Sequence, residues 1–115
     1  MKQLCIGFVG GGFITRFHIQ SLVEVRDCCV GGVASGSMAS AEEAVAVAKK
    51  FRVGPNARAF ASTEELAACE DIDALWICAR NDTRISVMEE IRAGNRRRKT
   101  PLRGICLEKP LARTL

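Results

Sequence analysis

A chain of 115 residues supplies one hydrophobic core and not two, and its 48% apolar and 26% charged residues are ordinary for a globular domain. A net charge of +4 with only 5% aromatic residues argues against an aromatic-studded basic surface for nucleic acid. No apolar stretch is long enough to cross a bilayer, and with Tyr absent the core must be filled by aliphatic residues and Ala.

Leu4 to Val9 is expected to be a strand buried on both faces. Met1-Lys2 and the apolar run that follows superficially resemble a secretion signal. Gly7, Gly10, Gly11 and Gly12 break that run and no clean cleavage site follows, so it is expected to be mature structure. Phe13 to Val25 predicts a helix with Ile14, Phe17, Leu22 and Val25 inward, and Cys29 to Ala34 a second strand. Ser40 and Glu43 have capping-box spacing for a helix to about Phe51, with Ala44, Val47, Ala48 and Phe51 buried. A weak strand is expected near Arg58 to Ala61. Ser62 and Glu65 repeat the capping device before a short helix carrying Leu66. Asp73 to Ala79 predicts a strand. Asn81 or Asp82 then caps a helix with Ile85, Met88 and Ile91 inward, ended by Gly94 in the left-handed conformation. The run Arg96-Arg97-Arg98-Lys99 is expected in a solvated loop, and Gly104 to Leu107 forms a last strand. Short buried strands alternating with amphipathic helices predict a parallel α/β sheet covered on both faces.

The six cysteines contain no C-x-x-C pair and the chain has one His, so the spacing points away from a metal site. Cys5, Cys78 and Cys106 sit in apolar runs and are expected to be buried and reduced, as in a cytoplasmic protein. His18 is expected to make a helix-face or interdomain contact, and Trp76 to belong to the core.

Gly10-Gly11-Gly12-Phe13-Ile14-Thr15 lies where a phosphate loop belongs, after the first strand and at the start of the first helix. Gly10 permits the tight turn, Gly12 lets a pyrophosphate approach the backbone, and free helix amides donate to the anion. The third fingerprint position, usually Gly or Ala, is Thr15. After the second strand stands Val33-Ala34-Ser35-Gly36-Ser37, with no acid to hold ribose hydroxyls; Asp27 falls at the wrong end of the strand. An acid would repel a 2′-phosphate, while Ser35 and Ser37 can donate to one, so NADP is the expected cofactor in preference to NAD.

These features together resemble the glucose–fructose oxidoreductase and inositol dehydrogenase (Gfo/Idh/MocA) family. The resemblance rests on Ile6 to Ile14 with His18 soon after, Asp71-Ile72-Asp73-Ala74-Leu75-Trp76-Ile77, Asn81, and Glu108-Lys109-Pro110, and it runs over nearly the whole chain. It implies a Rossmann-type doubly wound parallel sheet over residues 1–115, truncated before a second α/β domain that takes the substrate. By the same resemblance Gly10, Gly12, Phe13 and Ile14 would line the pyrophosphate, and Ser35, Gly36 and Ser37 would meet the ribose. Ala79, Arg80 and Asn81 would lie along the cofactor, Glu108 would position the nicotinamide side, and Lys109 would be the catalytic contact to substrate oxygen. The implied activity is NAD(P)-dependent oxidation or reduction of a sugar, polyol or related small molecule by a homo-oligomer, with no nucleic-acid or membrane partner. Where the family usually has Thr-Pro-Asn and then His, this chain has Ala79-Arg80-Asn81 and Arg84, and its loop Asn95 to Arg103 is longer. Two other readings stand beside this one: a non-catalytic NAD(P)-binding sensor or assembly module, and nucleic-acid binding through Arg96 to Lys99.

Overall fold

The computed structural model describes residues 3–108. Among them β1 (Leu4–Val9), β2 (Cys28–Ala34), β3 (Arg58–Phe60), β4 (Ala74–Ile77) and β5 (Gly104–Leu107) form one sheet ordered β3-β2-β1-β4-β5, with every pairing parallel. Parallel neighbours need crossovers, and α1 (Phe13–Ser21), α2 (Met38–Lys50), α3 (Thr63–Ala68) and α4 (Arg84–Arg96) lie between successive strands. The chain steps outward from β1 to β3, then returns to build β4 and β5 on the other side. That reversal makes a topological switch point between β1 and β4, where crevices form in such sheets. The doubly wound α/β sheet expected from the sequence is the one observed, and the weak strand near Arg58 is β3.

Both sheet faces are packed. Phe8, Ile19, Val30, Val33 and Ala44 form the core under α1 and α2, while Val9, Ala34, Leu66, Leu75 and Ile91 form the other under α3 and α4. Phe8 and Val9, adjacent in sequence, serve opposite cores, which is why β1 reads as an unbroken apolar run. The β1–β2 register shifts between Ile6 and Gly7, and Gly31 is the residue left over. A Cβ on Gly31 would sit 2.3 Å from Cys5 Sγ.

The helix faces differ from the apolar periodicity. Helix α1 ends at Ser21 and a 3-10 turn covers Leu22–Glu24; Thr15, Ile19 and Leu22 are buried, whereas Ile14, Phe17 and Val25 are exposed. Helix α4 buries Arg84, Val87, Ile91 and Gly94 and leaves Ile85 and Met88 exposed. Part of each true stripe is carried by Thr, Arg or Gly, which an apolar count does not register. Gly94 does not end α4. It is buried inside the helix, where a Cβ would lie 2.4 Å from the Glu64 carbonyl oxygen, so its role is the close approach of α3.

Capping is corrected at two helices. Ser37, not Ser40, caps α2 by accepting from the Ser40 N–H at 3.1 Å, and Phe51 at the far end is exposed. A 3-10 turn over Asn81–Thr83 leads into α4, and Thr83 holds the N-cap position expected for Asn81 or Asp82. Ser62 caps α3 as its spacing predicts, accepting from the Glu65 N–H at 3.1 Å.

The basic run is solvated at Arg96, Arg97 and Lys99, which are exposed, but Arg98 is half-buried and tied down. Arg97 pairs with Glu64 at 3.1 Å, and the Lys99 N–H donates to Glu70 at 2.6 Å. Arg98 donates to the carbonyls of Ala67 (3.1 Å), Cys69, Ile72 (2.7 Å) and Thr100 (2.7 Å), closing the carboxyl end of α3 against the strand that follows. Those amide donors hold the exposed Glu70 carboxyl below its ordinary range, the Lys99 N–H most of all. No described helix is long and apolar enough to cross a membrane.

Candidate functional site

All five strands run the same way, so the segments after β1, β2, β4 and β5 meet at one edge of the sheet. Gly10 leaves β1 with φ at +103°, a region that favours glycine. Its N–H donates to the Ala34 carbonyl at 2.7 Å, and a Cβ there would meet the Cys78 carbonyl carbon at 3.1 Å. Thr15 is buried and its hydroxyl donates to the Gly10 carbonyl at 2.6 Å. The unusual residue at the third fingerprint position therefore braces the turn it belongs to.

Gly11 was given no role in the sequence, yet a Cβ there would lie 2.5 Å from Ser40 Oγ, so it seats the loop against α2. Gly12 is the opposite case. It holds the N-cap position of α1, no side chain caps the helix, and a Cβ on it would meet nothing within 4 Å. The first-turn amides have no intrahelical acceptors by helix geometry, so they open onto free space at the switch point. Phe13 and Ile14 are exposed beside them.

A cleft of about 310 Å³ lies next to this loop, lined by Gly10, Ala34, Ser35, Gly36, Ala79 and Glu90 among others. Ser35 Oγ donates to Ser40 Oγ at 3.1 Å. Ser37 accepts from the backbone as a cap, which leaves its own hydroxyl proton available. The loop carries no carboxylate; Glu90, the acid on the cleft wall, stands on α4 across from the serines. Asp27 lies at the amino end of β2, where its carbonyl accepts from the Leu4 N–H at 2.7 Å. Arg80 is exposed and doubly bonded to Asp82, at 2.6 and 3.1 Å. The Asn81 side chain lies outside what is described.

The other end of the edge gathers His18, Trp76, Cys78 and Glu108. Glu108 continues β5, its N–H donating to the Ile77 carbonyl at 3.2 Å. Its carboxylate meets His18 Nε2 in a short hydrogen bond. The His18 ring lies 4.2 Å from the Trp76 ring, and Trp76 stacks on Phe8 at 5.5 Å. Trp76 is thus both core and a platform for the histidine. Burial pushes the Cys78 thiol up to about 11; Glu108 and Cys106 add to the rise, while the Thr15 hydroxyl and Arg84 oppose it. Cys5 and Cys78 are partly buried, but Cys106, expected to be buried, is exposed on β5. All six cysteines are free.

The structure therefore brings Gly10, Gly12, Ser35, Gly36 and Ala79 to one loop-and-cleft region and Glu108 to the same sheet edge. Lys109 and Pro110 lie outside the described residues. His18 was legible only as a helix-face or interdomain contact, and Cys78 only as a buried thiol. Their meeting with Glu108 depends on three elements far apart in the chain, and no local spacing encodes it.

The model for GFO_IDH_MocA, the oxidoreductase family with an NAD-binding Rossmann fold, matches residues 4–115. Among solved structures, myo-inositol dehydrogenase from Lactobacillus casei, in complex with NAD(H) and myo-inositol, is similar at 26% identity and a TM-score of 0.74, covering 96% of this chain and 29% of that one. UDP-N-acetylglucosamine 3-dehydrogenase GnnA from Acidithiobacillus ferrooxidans is similar at 26% identity and a TM-score of 0.69, covering 97% of this chain and 30% of that one. A super-repressor mutant of Gal80p from Saccharomyces cerevisiae shares the fold, at 18% identity and a TM-score of 0.79, with 96% of this chain and 28% of that one covered. The chain spans under a third of the length of each. No curated protein matches it.

Proposed function

This chain belongs to the Gfo/Idh/MocA oxidoreductase family as an NAD-binding Rossmann domain, and we propose that it is the dinucleotide-binding part of an enzyme that moves hydride between nicotinamide and a sugar, polyol or related hydroxy or keto compound. The observation that carries this reading is the uncapped amino end of α1 behind Gly12, open at the switch point of a parallel sheet. A dinucleotide fits the residues present. Gly10, Gly12, Phe13 and Ile14 would hold the pyrophosphate, with Ser35, Gly36 and Ser37 at the adenosine ribose. Ala79, Arg80 and Asn81 would run along the cofactor toward Glu108.

The chemistry supplied by NAD(P) when bound is hydride transfer at its nicotinamide ring. The chain's own residues bind and orient. The first-turn amides of α1 donate to anionic oxygens. Glu108, tied to His18, gives the nicotinamide side a fixed carboxylate. Lys109, next in the chain, would donate to or relay the proton of the substrate oxygen. Replacing Lys109 with Met in the intact enzyme is expected to lower kcat by at least about 100-fold, within the usual worth of a general acid or base. Dinucleotide affinity should stay near the parent value; an unchanged kcat removes Lys109 from the mechanism. The substrate would enter through a second domain, in a cytoplasmic homo-oligomer.

The cofactor proposed is NADP before NAD. The loop after β2 offers hydroxyls and no carboxylate, so a 2′-phosphate meets donors rather than like charge. The Ser35→Asp variant should shift the ratio of NADH to NADPH affinity toward NADH by about tenfold or more, near 1.4 kcal/mol. Affinities for both that do not move would displace the ribose from this loop.

A further inference from the structure

We infer that His18, Cys78 and Glu108 form a three-ligand zinc site, the imidazole coming from α1, the thiolate from the exit of β4 and the carboxylate from the exit of β5. The ligand atoms of the three side chains all lie within 4.8 Å of one another, so one ion reaches all three with small side-chain rotations. Nothing in the sequence announces this group, because each ligand stands on a different element and no pair has metal-ligand spacing.

The donor set suits zinc. An imidazole nitrogen, a thiolate and a carboxylate are borderline donors that Zn²⁺ takes in tetrahedral sites, and three protein ligands leave a fourth position for water. Charge also fits. Thiolate and carboxylate together carry the two negative charges that neutralise the ion, so a half-buried centre gains no net charge. The positions are already held in place. Trp76 lies 4.2 Å from the His18 ring and limits its rotation, and the Glu108 backbone is fixed to Ile77. Access remains, since the His18 and Glu108 side chains are 21% and 32% exposed.

Binding exchanges two protons for a metal. The Cys78 thiol proton and the proton of the His18–Glu108 hydrogen bond leave to solvent, the imidazole carries its remaining proton on Nδ1, and Nε2 turns its lone pair to zinc. No redox change occurs. An ion there would clamp α1 to β4 and β5 at the edge that holds the glycine loop. The site does not rest on the dinucleotide reading, although it shares His18 and Glu108 with it: with an ion bound, the metal rather than the hydrogen bond would fix the Glu108 carboxylate.

The test is a Co²⁺ titration of the reduced protein, read by absorption, followed by displacement with Zn²⁺. The expected result is one saturable equivalent with a near-ultraviolet thiolate band and the visible bands of four-coordinate cobalt. Cys78→Ser should remove the thiolate band. His18→Gln and Glu108→Gln should each weaken binding by about tenfold or more. Cys29→Ser is the control, because Cys5 and Cys29 pair across β1 and β2 and form the rival thiol group. A band that survives Cys78→Ser or vanishes in Cys29→Ser overturns the inference, as does no saturable binding in the parent. Should a variant fail to fold, X-ray absorption at the zinc edge of the parent complex decides. One sulfur with nitrogen and oxygen ligands supports the site, and two or more sulfurs overturn it.

Discussion

Arg98 shows how one side chain can decide the meaning of a charged run. In sequence, Arg96 to Lys99 reads as solvated charge or as an anion patch. In the fold, the Arg98 guanidinium spans the carbonyls of Ala67, Cys69 and Ile72, where α3 ends and the chain turns toward β4. A charged donor on several carbonyls is worth more than a surface ion pair, and removing it strands the acceptors. Arg98→Met is expected to cost about 2–3 kcal/mol in denaturant unfolding, while Arg96→Met, at the exposed end of α4, should cost under about 0.5 kcal/mol. Equal effects would show that Arg98 is surface charge after all. Thr15 makes the same point at the site. Read against the fingerprint it was a mismatch; in place, its buried hydroxyl bonds the Gly10 carbonyl.

At the scale of elements, strands were more legible than helix faces. A strand buried on both sides is apolar at every position, so β1, β2 and β4 announce themselves within a residue or two of their ends. A helix face is read from spacing, and here spacing misled. Phe17 and Ile85 advertise faces that point outward, while the buried positions of α1 and α4 include Thr15, Arg84 and Gly94. Gly94 is the sharpest case. Its position near a helix end suggested a terminator, but the helix continues past it because α3 comes too close for any side chain. Gly94→Ala removes a helix-weakening residue and yet is expected to destabilise by about 1–3 kcal/mol, since the new Cβ would press on the Glu64 carbonyl and Ala67. A gain of about 1 kcal/mol, as helix propensity alone dictates, would contradict the packing role. Helix starts were legible where a single cap competes, as at Ser62. They were ambiguous where Ser37 and Ser40 both stand before the apolar stripe.

For the whole molecule, the sheet order was legible as a class and the site only in part. Alternating strands and helices imply parallel pairing, and the glycine loop after the first strand implies a ligand at the carboxyl edge. Both are observed. What the sequence could not supply was the far end of that edge, where His18, Cys78 and Glu108 arrive from α1, β4 and β5 and meet only through the crossovers. The dinucleotide reading rests on Gly12, whose backbone is ordinary (φ −81°, ψ −164°) and whose missing side chain faces open space. A side chain there leaves the fold untouched and blocks only what approaches the helix amides. The direct measurement is therefore calorimetric titration of NADPH into the parent and into Gly12→Asp, with thermal melting of both. The variant should melt at or slightly above the parent, because Asp can cap the open amides, and NADPH affinity should fall by about 100-fold or more, near 2.8 kcal/mol. Equal affinity in a variant that melts no lower than the parent would contradict the placement of the phosphates on α1.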